Sequence, residues 1–170
     1  MKWLLTTLVA LLCALNTYGQ VDPYARLHEG DTLPAFEVAM ADDSTLRTAD
    51  LEGKVVWICL WASWCPSCRK EMKWLVQSEE FAALLANEGF VFLPIAREEN
   101  SATITAWLRK KGYDIRSGVD PDRAIYELFA EQEIPRNIIV GRDGVVLRHS
   151  SAYSRKALGE NINLVKETLN

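Results

Sequence analysis

The chain has 170 residues, of which 49% are hydrophobic, 25% charged and 9% aromatic. That composition excludes a disordered or low-complexity protein and supplies enough apolar surface for one ordinary domain to fold. A formal net charge of −4 leaves no global basic field for a nucleic-acid backbone, and four cysteines are too few to mark a disulfide-stapled mini-protein of this length.

The first twenty residues stand apart. Lys2 precedes an almost unbroken apolar run from Trp3 to Leu15, and the polar patch Asn16-Thr17-Tyr18-Gly19-Gln20 follows, with small residues at Thr17 and Gly19. This is the three-part pattern of a secretory leader. The run is about 13 residues, short of the roughly 18 that a membrane span needs, and an uncleaved signal anchor is the alternative. Cys13 follows Leu12, where a lipid-attachment site has a small residue. The expected division is therefore a signal peptide over residues 1–19 and a single domain over residues 20–170. Loss of Lys2 with the leader takes the net charge to about −5. It also leaves Cys59, Cys65 and Cys68, a pair plus one further thiol in an oxidising compartment.

Residues 21–33 read as a lead-in. Residues 36–40 alternate as a strand does, and Ala41-Asp42-Asp43-Ser44 is a turn former. Residues 55–60 form a continuous apolar run that suits a central strand covered on both faces. Pro66 opens a helical pattern through Met72, Leu75, Val76, Phe81, Leu84 and Leu85, which Asn87-Glu88-Gly89 ends. Residues 90–95 predict a second buried strand. Ser101 is the expected cap of a helix through Ile104, Trp107 and Leu108, stopped by Lys110-Lys111-Gly112. An extended piece at residues 115–119, a short helix through Ile125, Leu128 and Phe129, a hairpin of residues 137–140 and 145–148, and a final helix from about Ser154 complete the chain. Parallel strands joined by helices, then a hairpin and a helix, define an α/β order.

Chemistry concentrates at the junction of the first buried strand and its helix, in Trp61-Ala62-Ser63-Trp64-Cys65-Pro66-Ser67-Cys68. Two cysteines separated by two residues at a helix start close a small disulfide ring with little backbone movement. Cys65 sits where unpaired backbone N–H groups and the positive end of the helix dipole favour a thiolate. Cys68, one turn on, is expected to be the more buried. The roles that follow are attack on a substrate disulfide by Cys65, a mixed disulfide, and its resolution by Cys68. Half of a zinc site and an inert structural disulfide are the competing readings. There is no second C-x-x-C, and His28 and His149 are far apart in sequence.

These residues resemble the W-C-x-x-C active site of the thioredoxin superfamily and, within it, the exported TlpA/ResA-like thiol–disulfide oxidoreductases. The likeness extends over most of the chain after the leader, through the opening at residues 30–36, Thr48-Ala49-Asp50-Leu51-Glu52-Gly53-Lys54, the cysteine pair and Ile134-Pro135. It implies a thioredoxin-like α/β fold, a central mixed sheet flanked by helices, with an added N-terminal β-hairpin, and it implies disulfide exchange without a cofactor or metal. By the same resemblance Pro135 is the family's cis proline, packed beside the cysteines with backbone groups free for an extended substrate. The family often has Thr after that proline. Here Arg136-Asn137 follows, which bears on substrate preference.

Glu71 lies three residues after Cys68 on the same helical face. The resemblance gives it the proton of the buried thiol; the other reading is a solvated surface acid within Arg69-Lys70-Glu71. Cys59 stands where thioredoxins carry a buried acid and reads as a small buried hydrophobe, against a third redox thiol. Trp64 shields Cys65 and offers an apolar docking surface, or serves packing alone, and Trp61 reads as core.

The leading function is a reductase of protein disulfides, exported to a bacterial periplasm or cell envelope and supplied with electrons by a membrane donor. The chain itself would touch the membrane only through an uncleaved anchor, and no nucleic acid is involved. An oxidase or isomerase shares every residue named and differs in redox poise. A thiol peroxidase would need polar activators where Trp61-Ala62-Ser63-Trp64 stands. A copper carrier would have one more residue between its cysteines and a positioned His, for which His149 is the candidate. A non-catalytic peptide-binding module is argued against by the intact pair.

Overall fold

The structure is a computed structural model that describes residues 22–170; the expected leader, its cleavage point and Cys13 lie outside the described residues. In chain order the elements are β1 (Glu37–Met40), β2 (Thr45–Arg47), a 3-10 turn (Thr48–Leu51), β3 (Val55–Trp61), α1 (Pro66–Val76) and α2 (Glu79–Leu85). They continue with β4 (Phe90–Arg97), α3 (Ser101–Lys111), β5 (Gly118–Asp120), α4 (Tyr126–Phe129), β6 (Arg136–Val140), β7 (Val146–Ser151) and α5 (Arg155–Leu169). The strands form one mixed sheet in the order β2-β1-β5-β4-β3-β6-β7. β3, β4 and β5 run parallel, β6 and β7 are antiparallel to their neighbours, and β1–β2 is the expected N-terminal hairpin, added through β5.

β3 is central, and all seven of its residues are buried. Its side chains alternate between the two faces of the sheet, as the period of two requires. Val56, Ile58 and Leu60 join Val38, Ile95, Tyr126, Phe129 and Ile138 in one cluster. On the other face Val55 and Trp57 meet Leu75 of α1, Phe81 of α2 and Ile162 of α5. Cys59 and Trp61, further along that face, pack with both site cysteines, Met72 and Ile104. The Trp57 indole meets the Phe81 and Phe92 rings edge-on at 5.6 and 5.9 Å, an arrangement that adds about 0.5–1.5 kcal/mol per pair to simple burial.

Local chemistry moves several boundaries from their expected places. The apolar pattern predicting one helix from Pro66 to Leu85 is divided in two, because the Ser78 hydroxyl accepts from Phe81 N–H and starts α2 afresh after Gln77. α3 is capped by Asn100 rather than Ser101: its Oδ1 accepts from the backbone N–H and the hydroxyl of Thr103. The extended piece expected at residues 115–119 is a three-residue strand starting at Gly118. A Cβ at Gly118 would come within 2.5 Å of Val38 Cγ2, so the glycine is what lets β1 lie against β5. The Asp120 carboxylate accepts from Ile125 and Tyr126 N–H and thereby starts α4. β6 begins one residue earlier than expected and β7 runs on to Ser151. Ser154 caps α5 as its position predicts.

One basic side chain among the described residues lies wholly inside. The Arg136 guanidinium is fully buried, 2.6 Å from Asp22 Oδ2, and donates twice to the Gln132 carbonyl. Burial raises the Asp22 carboxyl pKa, but bonds from Arg136 and Tyr24 N–H outweigh it and hold the group at about 2. Because the folded value lies below that of the unfolded chain, this contribution is present above about pH 4 and is lost as pH falls towards 2. We expect Asp22→Ala to lower stability at pH 7 by about 3–5 kcal/mol, since it leaves a buried charge short of its partner. Denaturant unfolding checks this, and the gap between wild type and variant should narrow by about 2 kcal/mol between pH 4 and 2.

Candidate active site

Cys65 and Cys68 form a disulfide at the start of α1, with their Cα atoms 5.3 Å apart. The extended backbone of Cys65 (φ −80°, ψ 117°) makes it the N-cap, Pro66 occupies the first turn, and Cys65 Sγ accepts from Cys68 N–H at 3.2 Å. The sulfur therefore takes the place a Ser or Asp oxygen holds at other helix starts, where free N–H groups favour negative charge. Ser67 Oγ lies 3.2 Å from it and the Ile134 carbonyl oxygen 3.8 Å. Cys65 is 4% exposed and Cys68 1%, the order expected. The Ile134–Pro135 peptide is cis, as the resemblance implied, and it immediately precedes β6 beside the disulfide.

Two polar braces hold the rim. On one side the Glu99 carboxylate accepts from Ser63 N–H at 2.6 Å and from the Ser63 hydroxyl, tying the residues before Cys65 to the loop after β4. On the other, Trp64 is 51% exposed, with the Arg97 guanidinium over its ring at 5.8 Å and over the Tyr126 ring at 4.6 Å. The Tyr126 hydroxyl donates to the Glu133 carbonyl at 2.6 Å, so the loop leading to Pro135 is linked through Tyr126 and Arg97 to Trp64. A surface groove of about 690 Å³ opens beside the disulfide, between Pro66, Ser67 and Lys70 on one bank and Glu133, Ile134, Ala152 and Tyr153 on the other.

Glu71 is 1% exposed, which excludes the solvated surface acid. Its Oε1 accepts from Asn137 Nδ2 at 3.0 Å and from Cys59 Sγ at 3.4 Å, and the Trp57 indole N–H donates to Asn137 Oδ1 at 2.6 Å. Glu71 Oε2 is buried without a partner among the described residues. Burial lifts the Glu71 carboxyl to about 7, against the lowering effect of the Asn137 and Cys59 bonds. Burial, with the Glu71 charge second, pushes the Cys59 thiol well up, so Cys59 is a protonated donor.

The structure thus brings together Cys65, Cys68, Pro135, Trp64 and Glu71. Sequence reasoning missed Asn137 and Trp57 as partners of Glu71, and Arg97, Tyr126 and Glu99 as braces. The register that sets Cys59 opposite Asn137 is long-range, so no local signal could have found it. Arg136 and Asn137 are a correction of another kind. Both side chains are buried, Arg136 towards Asp22 and Asn137 towards Glu71, so the departure after Pro135 alters the interior and not the groove. Trp61 is fully buried core, donating to Ser117 Oγ. His149 lies on β7 with Nδ1 2.7 Å from the Leu27 carbonyl and Nε2 3.3 Å from Arg136; those bonds, not the cysteines, engage its ring. His28 bonds through its backbone N–H to Asp31.

A disulfide at a helix N-terminus, facing a cis proline across a thioredoxin-like mixed sheet, defines the class of thiol–disulfide oxidoreductases. A family model described as Redoxin matches residues 28–162, and the chain belongs to that family, as a TlpA/ResA-like member of the thioredoxin superfamily. It is 21% identical over 163 residues to the thiol-disulfide oxidoreductase ResA of Bacillus subtilis, covering 94% of this chain and 89% of that one. Over 83 residues it is 34% identical to the thiol:disulfide interchange protein DsbE of Pseudomonas aeruginosa, covering 48% and 42%. Among solved structures it is similar to a candidate protein disulfide isomerase of Bacteroides thetaiotaomicron, with a TM-score of 0.80, 26% identity and coverage of 86% and 92%. It also shares its fold with a thioredoxin-family thiol:disulfide interchange protein of Chlorobium tepidum, with a TM-score of 0.68, 23% identity and coverage of 83% and 97%.

The raised Glu71 carboxyl has a measurable consequence for stability. Below about pH 4.5 it is protonated in both folded and unfolded chains. Above that the unfolded chain ionises while the folded one keeps its proton until about 7, so stability falls across that window. We expect the fall to amount to about 3 kcal/mol. Glu71→Gln should abolish this slope and leave the variant the more stable form at pH 8, as read from unfolding curves at pH 4, 6 and 8.

Proposed function

We propose that the chain is a reductase of protein disulfides, exported by a leader over residues 1–19 to a bacterial periplasm or cell envelope, with residues 20–170 as the working domain. The observation that carries the direction is the charge around the cysteine pair. Among the described residues no basic side chain is bonded to Cys65, and the titratable group built in one turn beyond Cys68 is an acid, Glu71. A strong oxidant is one whose reduced form is stabilised. A nearby acid opposes a thiolate, destabilises the reduced form and moves the pair towards reducing power.

In the forward reaction the Cys65 thiolate attacks one sulfur of a substrate disulfide, and the first substrate thiolate leaves. Cys68, giving its proton to Glu71, attacks Cys65 Sγ of the mixed disulfide and releases the second substrate thiolate, which takes its proton from solvent. Two electrons have passed to the substrate, and the Cys65–Cys68 disulfide remains. A membrane-bound dithiol donor reduces it again, because an oxidising compartment supplies none. An extended substrate segment lies along the groove against the backbone before Pro135, with Trp64 as its apolar rim.

The first test is the equilibrium reduction potential of the Cys65–Cys68 pair. A value near roughly −270 mV is expected, as for thioredoxin. One near about −120 mV, as for DsbA, would make the chain an oxidase. Cys65→Ser should abolish insulin reduction, and Cys68→Ser should accumulate a mixed disulfide visible on a non-reducing gel.

A further inference from the structure

The three side chains around the Glu71 carboxyl, Asn137, Cys59 and Trp57 behind Asn137, have a direction that the pair of cysteines does not explain. An indole N–H can only donate, so the atom of Asn137 that meets Trp57 Nε1 at 2.6 Å is its carbonyl oxygen. The amide NH2 of Asn137 therefore faces Glu71, and it donates to Oε1 at 3.0 Å. Cys59, directly opposite Asn137 in the β3–β6 register, brings its thiol to the same oxygen at 3.4 Å. Both donors reach one oxygen, and the buried Oε2 has no described partner.

We propose that Asn137 and Cys59 are positioning residues that hold the Glu71 carboxyl in one orientation, so that Oε2 alone takes up and releases its proton, with Trp57 fixing the Asn137 amide. A proton on Oε1 would be driven against two donors. On Oε2 it meets none, and Oε1 stays a double acceptor. A half-turn of the ionised carboxyl merely exchanges two equivalent oxygens, but a half-turn of the protonated one would turn its O–H against both donors and leave the Asn137 amide without an acceptor in the interior. Cys59 thus acts as a hydrogen-bond donor and not as a third redox centre. Among the described residues the titratable group bonded to Glu71 is the Cys59 thiol on β3, and Cys68 of the pair lies one turn back on its own helix. β6 contributes the neutral Asn137 and β3 the neutral Trp57 indole.

This inference rests on the reading of Glu71 as the acceptor of the Cys68 proton. In that step Cys68 S–H loses its proton to Oε2, the Cys68 electron pair forms the bond to Cys65 Sγ, and the bond from Cys65 to the substrate sulfur breaks. That substrate sulfur leaves with the electron pair. Glu71 is left neutral, and it returns its proton to solvent before the next turnover.

The test is the pH profile of mixed-disulfide resolution, followed in single turnover for wild type, Glu71→Gln, Asn137→Ala, Cys59→Ala and Cys59→Ser. Removing a donor to the ionised form favours the neutral carboxyl, so Asn137→Ala and Cys59→Ala should each move the midpoint up by about one pH unit. Cys59→Ser restores a donor and should bring the midpoint back towards wild type. Unmoved midpoints in both alanine variants, with a midpoint that disappears in Glu71→Gln, would overturn the positioning role and leave Glu71 as the proton group. A midpoint that survives Glu71→Gln would instead remove the reading beneath it. Infrared difference spectra of wild-type protein between pH 5 and 9 decide the matter even if the alanine variants fail to fold. The protonated Glu71 carbonyl band, identified by its absence in Glu71→Gln, should sit at the low frequency of a doubly bonded acceptor, and a free-carbonyl band would overturn the proposal.

Discussion

The antiparallel register between β3 and β6 is the constraint on which the site depends. It places Cys59 opposite Asn137 and Leu60 opposite Arg136, so that the residue before β6, Pro135, arrives at the level of the cysteine pair. A slip of one residue would turn Asn137 to the other face of the sheet and Arg136 into the Glu71 pocket, exchanging a neutral donor for a cation. The apolar neighbours of these strands specify the register strongly. Ile138 and Ile139 belong to clusters on opposite faces, and a slip would present each to the wrong one.

The interior of this domain carries more polarity than its apolar strands announce. Glu71, Asn137 and Arg136 are each at most 2% exposed. Such groups are tolerated inside a protein when their bonds are made, and here they form two separate systems on the two faces of β6. Arg136 is satisfied by Asp22, the Gln132 carbonyl and His149, and so holds the lead-in segment against the sheet. Among the described residues Glu71 is bonded at one oxygen only, and its Oε2 is buried without a partner.

The rim follows a different logic. Trp64 and the loop before Pro135 belong to different parts of the chain, and neither touches the other through a strand. They are joined by an aromatic and cationic bridge, Trp64 to Arg97 to Tyr126, and by the Tyr126 hydroxyl on the Glu133 carbonyl. Trp64 and the loop before Pro135 are thereby linked through one shared side chain, Tyr126, anchored in the core at the start of α4. The exposure of Trp64 is a consequence of this arrangement: its ring lies on the guanidinium instead of sinking into the core.

The sequence by itself determined the chemistry and the order of elements. The apolar runs that become β3 and β4, the C-x-x-C at a strand-to-helix turn, the proline before β6 and the helix-facing position of Glu71 are all local patterns, written in neighbouring residues. Local competition between caps was harder to read, and it moved the start of α3 from Ser101 to Asn100 and divided the first long helix at Ser78. What only the tertiary structure decided is which side chains share a pocket. Whether Glu71 meets solvent or Asn137, whether Arg136 faces the groove or Asp22, and whether Cys59 packs as a hydrophobe or donates to a carboxylate depend on contacts between residues 12 to 114 positions apart. Such contacts arise when the sheet closes, because burial and strand register, which no local window contains, choose among orientations that the chain alone leaves equal.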